Sequence, residues 1–165
     1  MTNGALLYSV SNSRQLAPLL VRESRAWFLV RPAGRRWAGY IIQASEASTD
    51  PRTLEDWSRA VGVSRSVLIE SCARIGVPPR DARDLARVLR LVRRADEPWE
   101  PELTLDIADR RTLRALLDRA GLTGAASDGR PTPEQFLLRQ RFVPQTSPAL
   151  VALRQMLSKP ADLIH

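Results

Sequence analysis

The chain has 165 residues, of which 44% are hydrophobic, so it can bury the core of one domain and is too apolar for a disordered chain. Its formal net charge of +7 favours an anionic partner, although only Lys159 among the basic residues is a lysine, and a GC-rich coding sequence gives such an arginine excess whatever the function. The single cysteine excludes an intrachain disulfide, and together with a single histidine (His165) it excludes the usual zinc clusters and imidazole-based triads. The sequence also has no glycine-rich phosphate loop. We therefore expect a protein that is not an enzyme and uses no metal or cofactor.

Residues 1–34 are predicted to form a short α/β segment. Two apolar runs, at residues 5–10 and 26–30, are rich in strand formers, and leucines near helical spacing lie between them. This strand-helix-strand segment would pack on the helical body or pair with a second subunit. The sequence Pro32-Ala33-Gly34 predicts its end.

The next predicted helix covers residues 35–47. Its apolar residues Trp37, Tyr40, Ile41 and Ala44 recur at helical spacing and would face the core. This helix opens a predicted central domain, residues 35–122.

Three further helices are predicted over residues 53–94 from the residues that begin and end helices. A threonine with an acid three residues later forms a capping box, and a serine also caps a helix. Glycine ends a helix in the left-handed conformation, and proline is accepted in the first turn. The residues concerned are Thr53 with Asp56, Gly62, Ser64, Gly76, and Pro78 with Pro79.

The third of these helices carries four arginines interleaved with two aspartates. This pattern predicts an exposed face whose charges neutralise each other rather than a DNA contact. The residues are Arg83, Arg87, Arg90, Arg94, Asp81 and Asp84.

A short internal repeat follows. After a loop over residues 95–101 and a connecting segment over 103–107, the sequence Ser64–Val77 aligns with Asp109–Leu122, 45 positions later. In this alignment Ser64 and Asp109, both of which can cap a helix, occupy the same position, and Gly76 aligns with Gly121. The repeat predicts a second helix like the first, beginning after Asp109.

The C-terminal segment, residues 131–165, contains two predicted apolar helices. A flexible linker over residues 122–133 precedes them. The first begins at Thr132 and holds Phe136 to Val143, and the second begins at Ser147-Pro148. Their apolar faces would either cover the core or form a dimer seam, and the sequence leaves both alternatives open.

The stretch GVSRSVLIESCARIGVPPRDARDLARVLRLVRRA resembles the DNA-binding region of AraC-type transcription regulators. Gly76 and Pro79 match that family's Gly-x-x-Pro corner. The resemblance covers about residues 37 to 122 and implies a mainly α fold in which two helix-turn-helix units are joined by a linker helix. It also implies that Ser66, Ile69 and Glu70 occupy base-reading positions, although regulators of the family often place a basic or amide residue where this chain has Glu70.

Two sets of residues are the candidates for DNA contact. On the helix after Ser64, the hydroxyls of Ser64 and Ser66 would bind phosphate, and Arg65 would bind a guanine edge or phosphate. Ile69 would contact a thymine methyl group, and Glu70 would accept a hydrogen bond from the amino group of cytosine. The alternative is a helical pair buried in an ordinary α domain. The three arginines of the second set would clamp phosphates or read guanine, or they would form a solvated basic face that is salt-paired with Asp106, Asp109 and Asp118. The candidates are Ser64, Arg65, Ser66, Ile69, Glu70 and Arg74 in the first set, and Arg110, Arg111 and Arg114 in the second.

These patterns predict a cytoplasmic transcription regulator that binds double-stranded DNA. Its protein partners would be RNA polymerase or another regulator, and a homodimer would follow if the C-terminal helices form a seam. No apolar run has membrane-spanning length, so no membrane role is expected. The alternative function is a protein-interaction or dimerisation adaptor that keeps a helix-turn-helix scaffold without sequence-specific DNA binding.

Overall fold

The computed structural model describes residues 32–124 and 129–158, and these residues are mainly helical, as predicted. The predicted α/β segment falls almost wholly on residues 1–31, outside the described part. The described helices are α1 (residues 32–46), α2 (Leu54–Val61), α3 (Arg65–Ile75), α4 (Pro79–Arg93), α5 (Pro101–Thr104), α6 (Arg110–Arg119), α7 (Pro133–Arg139) and α8 (Pro148–Ser158).

The predicted capping residues set the bounds of α2 to α4. Thr53 and Asp56 form both bonds of a capping box, and Gly62 ends α2 at a φ of 70°. The hydroxyl of Ser64 accepts from the amide of Val67, and Gly76 ends α3 at a φ of 69°. The predicted bounds of these helices are therefore confirmed.

Three other bounds differ from the predictions. α1 already includes residue 32, the first of the described residues, so Pro32-Ala33-Gly34 lies within the helix and the predicted start at residue 35 is wrong. α5 occupies four residues that were predicted as the end of a loop and the start of a connecting segment. α7 ends at Arg139, because the buried side chain of Gln140 binds the amides of Phe142 and Val143 and holds a turn there.

The core forms around α4, which packs against α2, α3 and α7. The predicted stripe of α1 is buried at Trp37, Ile41 and Ala44. The C-terminal helices belong to the same core, since Phe136, Leu137, Leu150 and Leu153 are at most 1% exposed. Burying each such side chain stabilises the fold by about 1.5–3 kcal/mol, so these apolar faces cover the core in the single chain.

The arginines of α4 contradict the prediction of an exposed face. Arg87 and Arg90 are only 7% and 4% exposed. Arg87 donates to both carboxylate oxygens of Asp50, at 2.5–3.0 Å. Sequence spacing suggested neighbours on α4 itself as partners, whereas the main carboxylate partner lies 37 residues away and has a side chain that is only 3% exposed.

Arg87, Arg90 and Arg93 stand at three-residue spacing along one face of α4, and we call them the arginine row. Arg90 donates to the backbone carbonyls of Ala47 and Ser48 at 2.9 Å and of Thr104 at 2.5 Å. Its neighbours complete the row: Arg87 also donates to the carbonyl of Leu105, and Arg93 donates to Ser45 and Glu46. The row therefore joins the end of α1 and the segment before α2 to the end of α5.

Candidate nucleic-acid interface

α3 has one buried side and one exposed side. Leu68, Ser71 and Cys72 are buried against the body of the protein, while Val67 is 39% exposed. The candidates of the first set all lie on the exposed side: Ser64, Arg65, Ser66, Ile69, Glu70 and Arg74. This side is accessible over its full length, which the alternative of a buried helical pair does not provide.

Two candidates on α3 bind each other. The carboxylate of Glu70 accepts from Arg74 at 2.5 Å, four residues on, and both side chains are about 60% exposed. An exposed pair of this kind contributes roughly 0–1 kcal/mol, so either partner can exchange it for another ligand. Glu70 is thus neutralised in place, and Arg65 carries the uncompensated positive charge at the start of the helix.

α6 presents three arginines that have no partner among the described residues. Asp109 caps the helix through the amides of Arg111 and Thr112, and the hydrogen bonds from Thr112 hold the pKa of Asp109 below its usual value. Leu113 and Leu116 face inwards, whereas Arg110, Arg111 and Arg114 are exposed.

The predicted salt-pairing of these three arginines does not occur among the described residues. Asp106 binds Arg52 at 2.8 Å, and Asp118 binds Arg141 at 3.1 Å. Asp109 is used as the cap of α6. The three acids that the sequence offered as partners of these arginines are therefore engaged elsewhere.

α3 and α6 have the same local geometry 45 positions apart. Each begins at a side-chain cap and is followed by a glycine with a φ near 70°, Gly76 at 69° and Gly121 at 68°. The closing hydrogen bonds also match: the amides of Gly76 and Val77 bind the carbonyls of residues 73 and 72, and those of Gly121 and Leu122 bind residues 118 and 117. The internal repeat seen in the sequence is a repeat of backbone structure.

The helices that precede them differ in length but end alike. α2 has eight residues and closes at Gly62, and α5 has four and closes at Asp106, whose φ of 46° is positive. The next residue, Val63 or Ile107, is partly buried against the core in each case. The second connection is one residue longer, since it runs from Asp106 to the Asp109 cap.

Half of the arginines without a partner among the described residues lie on these two helices, three on α6 and one on α3. Of the 20 described arginines, 12 form an ion pair or hydrogen bond within the described residues. The other eight are all exposed, and four of them belong to α3 and α6. They are Arg65, Arg110, Arg111 and Arg114, followed by Arg35, Arg36, Arg80 and Arg139. Arg80 was missed by sequence reasoning, and it faces Arg111 across a cleft between α4 and α6.

Other kinds of site find no support in the described part of the chain. Residues 32–124 and 129–158 contain no group of three or more potential metal ligands and no helix with the length and apolar character of a membrane span. Cys72 is fully buried, and burial raises the pKa of its thiol to about 11, so it is packed as a small hydrophobic side chain. No protein-family model, curated protein or solved structure matches this chain.

Proposed function

We propose that the protein is a cytoplasmic DNA-binding transcription regulator whose α2–α3 and α5–α6 pairs act as helix-turn-helix units. α3 and α6 would enter the major groove with their first turns towards the base edges. Arg65 would bind a guanine edge or phosphate, and Arg110, Arg111 and Arg114 would bind phosphates at the second unit. The resemblance of residues 62–95 to the DNA-binding region of AraC-type regulators supports this proposal.

The observation that carries the proposal is that Arg65, Arg110 and Arg111 lie in the first turns of two structurally repeated helices and have no partner among the described residues. Positive charge in the first turn opposes the helix dipole, so these side chains do not serve the stability of α3 and α6. Duplex DNA offers closely spaced anions to such cations, and contact releases counterions. The hydroxyls of Ser64 and Ser66 add neutral donors to phosphate beside Arg65.

The adaptor alternative depended on apolar C-terminal faces being available to a partner. Burial of Phe136, Leu137, Leu150 and Leu153 within the chain removes most of that surface. The Glu70–Arg74 pair removes its other support, because the acid on α3 is neutralised by a neighbour and so repels phosphate less.

A mobility-shift titration with random and selected duplexes at several salt concentrations tests the proposal. Affinity should fall steeply with salt, by a slope of about 0.9 for each phosphate neutralised. Replacing Arg110, Arg111 and Arg114 together by alanine should lower that slope by as much as about 3. Arg139→Ala, which removes an equally exposed and unpaired arginine on α7, is the control and should change the slope little.

Sequence preference separates base reading from simple charge attraction. Arg65→Ala should change which duplexes are selected from a random pool, because loss of a bidentate contact to guanine costs roughly 1–3 kcal/mol at one position of the site. Equal weakening on every sequence would remove base reading from α3. A stable dimer in gel filtration, together with no duplex binding at low salt, would favour the adaptor.

A further inference from the structure

A cleft with a volume of about 390 Å³ lies between α4 and α6, and arginines line both of its walls. α4 contributes Arg80, Arg83 and Arg87, and α6 contributes Arg111 and Arg119. The volume lies within the range of small-molecule sites, roughly 300–1,000 Å³. The cleft is therefore concave and basic, unlike the open exposed side of α3.

The charges of the cleft do not cancel. Three of its five guanidiniums bind carboxylates, and the other two, Arg80 and Arg111, are exposed and have no partner among the described residues. Five guanidiniums against three carboxylates leave an excess of two positive charges. The bound pairs are Arg83 with Asp84 at 2.7 Å, Arg87 with Asp50 at 2.5 Å, and Arg119 with Asp81 at 2.8 Å.

The paired arginines give the cleft a fixed frame. Arg83 uses Nε and Nη2 on Asp84, and its Nη1 has no partner in the part of the chain that the structure describes. Arg119 binds Asp81 through Nη1, and its guanidinium lies 4.8 Å from the centre of the Phe142 ring. Side chains held in this way need little further ordering when a ligand arrives, so less binding free energy is lost.

We propose that this cleft binds the phosphate group of a small phosphorylated molecule, with Arg80 and Arg111 closing on its oxygens. A phosphate monoester carries nearly two negative charges at neutral pH, which matches the excess charge. The planar fork of arginine fits phosphate oxygens in bidentate geometry. A backbone diester of DNA carries one charge per phosphate and is the poorer match for a cleft of this shape.

A ligand in the cleft would also oppose DNA. Arg111 belongs both to the cleft and to the proposed DNA contacts of α6, and one guanidinium cannot serve both ligands at once. The phosphorylated molecule would then be an effector that competes with the duplex. This second step depends on the proposed function, whereas phosphate binding by the cleft does not.

Isothermal titration calorimetry on the full chain at constant ionic strength tests the cleft. The probes are inorganic phosphate and adenosine 5′-monophosphate, with adenosine as the control. One molecule of a phosphate probe should bind per chain, and adenosine should not bind. Tighter binding of the monophosphate than of inorganic phosphate identifies an organic phosphate as the ligand, and equal binding identifies the phosphate group alone.

A pair of double variants makes the test specific. Arg80→Ala with Arg111→Ala should weaken phosphate binding about tenfold or more, because two charge-assisted contacts are lost. Arg35→Ala with Arg139→Ala removes the same charge from exposed positions that neither line the cleft nor belong to the proposed DNA contacts, and it should leave binding within about twofold. Unfolding curves confirm that each variant is folded. No binding of either phosphate probe at millimolar concentration, or equal weakening in both variants, would overturn the proposal.

Competition is measured separately, with a labelled duplex and saturating monophosphate against sodium chloride at equal ionic strength. The monophosphate should weaken duplex binding more than the salt does. If it binds the protein and leaves the duplex affinity unchanged, the competitive step is wrong. If no duplex binds under any condition, the proposed function fails while phosphate binding by the cleft still stands.

Discussion

Replacing Arg90 by alanine tests whether the arginine row holds the fold together. The side chain donates to three backbone carbonyls, those of Ala47, Ser48 and Thr104, and it is only 4% exposed. A hydrogen bond from a charged donor contributes about 1.5–3 kcal/mol. The three carbonyls belong to residues that are partly or fully exposed, so water replaces part of the loss, and the desolvation of the guanidinium is recovered.

The expected loss in the free energy of unfolding is therefore about 3 kcal/mol, a large part of the 5–15 kcal/mol that is typical of a domain. Urea unfolding followed by circular dichroism measures it. With a denaturant slope of about 2 kcal/mol/M, the midpoint should fall by roughly 1.5 M without a change of slope. Arg90→Lys should fall between, because an ammonium keeps the charge but cannot reach three carbonyls with one planar fork.

Arg114→Ala is the matched control, because its side chain is exposed and has no partner in the described part of the chain. Its free energy of unfolding should stay within about 0.5 kcal/mol of the parent. An Arg90→Ala variant that unfolds at the same urea concentration as Arg114→Ala would refute the reasoning. The row would then be a set of contacts that water replaces at no cost.

Three other substitutions or conditions give contrasting outcomes. Gly121→Ala should lower the melting temperature more than Gly76→Ala. Both positions have a positive φ, but a Cβ at Gly121 would lie 2.8 and 2.9 Å from atoms of Arg139, whereas Gly76 faces open space. Equal decreases in melting temperature for the two variants would contradict this. The thiol of Cys72 should react with a disulfide reagent only through unfolding at pH values well below its pKa of about 11, so a native rate equal to that in urea would be the contrary result. The cap of α6 should weaken as the pH falls through the depressed pKa of Asp109, below 3.8, whereas the hydroxyl cap of α3 should not, and amide hydrogen exchange in the two first turns would show the difference.

Local signals in the sequence account for most of the helix bounds. A cap such as Ser64 acts on an amide three residues away, and Gly76 acts on its own φ angle, so both effects can be predicted from a few neighbouring letters. The repeat of α3 in α6 could be predicted for the same reason. The exposed side of α3 follows from which residues its inner face requires, and Arg65 was placed correctly on that exposed side.

The errors arose where a contact joins distant parts of the chain. The burial of Arg87 depends on Asp50, and that of Arg90 on carbonyls that carry no sequence signature, so alternating charges on α4 gave the wrong answer. The turn at Gln140 depends on one buried side chain, and α5 is too short for periodicity to detect. The Arg80–Arg111 cleft was missed because its two walls are 31 residues apart in the sequence.

The arginines that the structure describes fall into two groups, those bound within the chain and those exposed without a partner in its described part, so the net charge alone does not predict how many are available to bind an anion. The row of Arg87, Arg90 and Arg93 adds three positive charges to the total of +7, yet these groups are bound within the chain. Arg65 and Arg114 each contribute the same formal charge and have no partner within residues 32–124 and 129–158. Stability and anion binding should therefore separate for Arg90 and Arg93, which do not line the cleft: changes at either should lower the free energy of unfolding whatever the ligand. Changes at the exposed arginines should alter binding and its salt dependence while the unfolding curve stays in place, and a chain in which both properties always moved together would show that the two groups of arginines are not distinct.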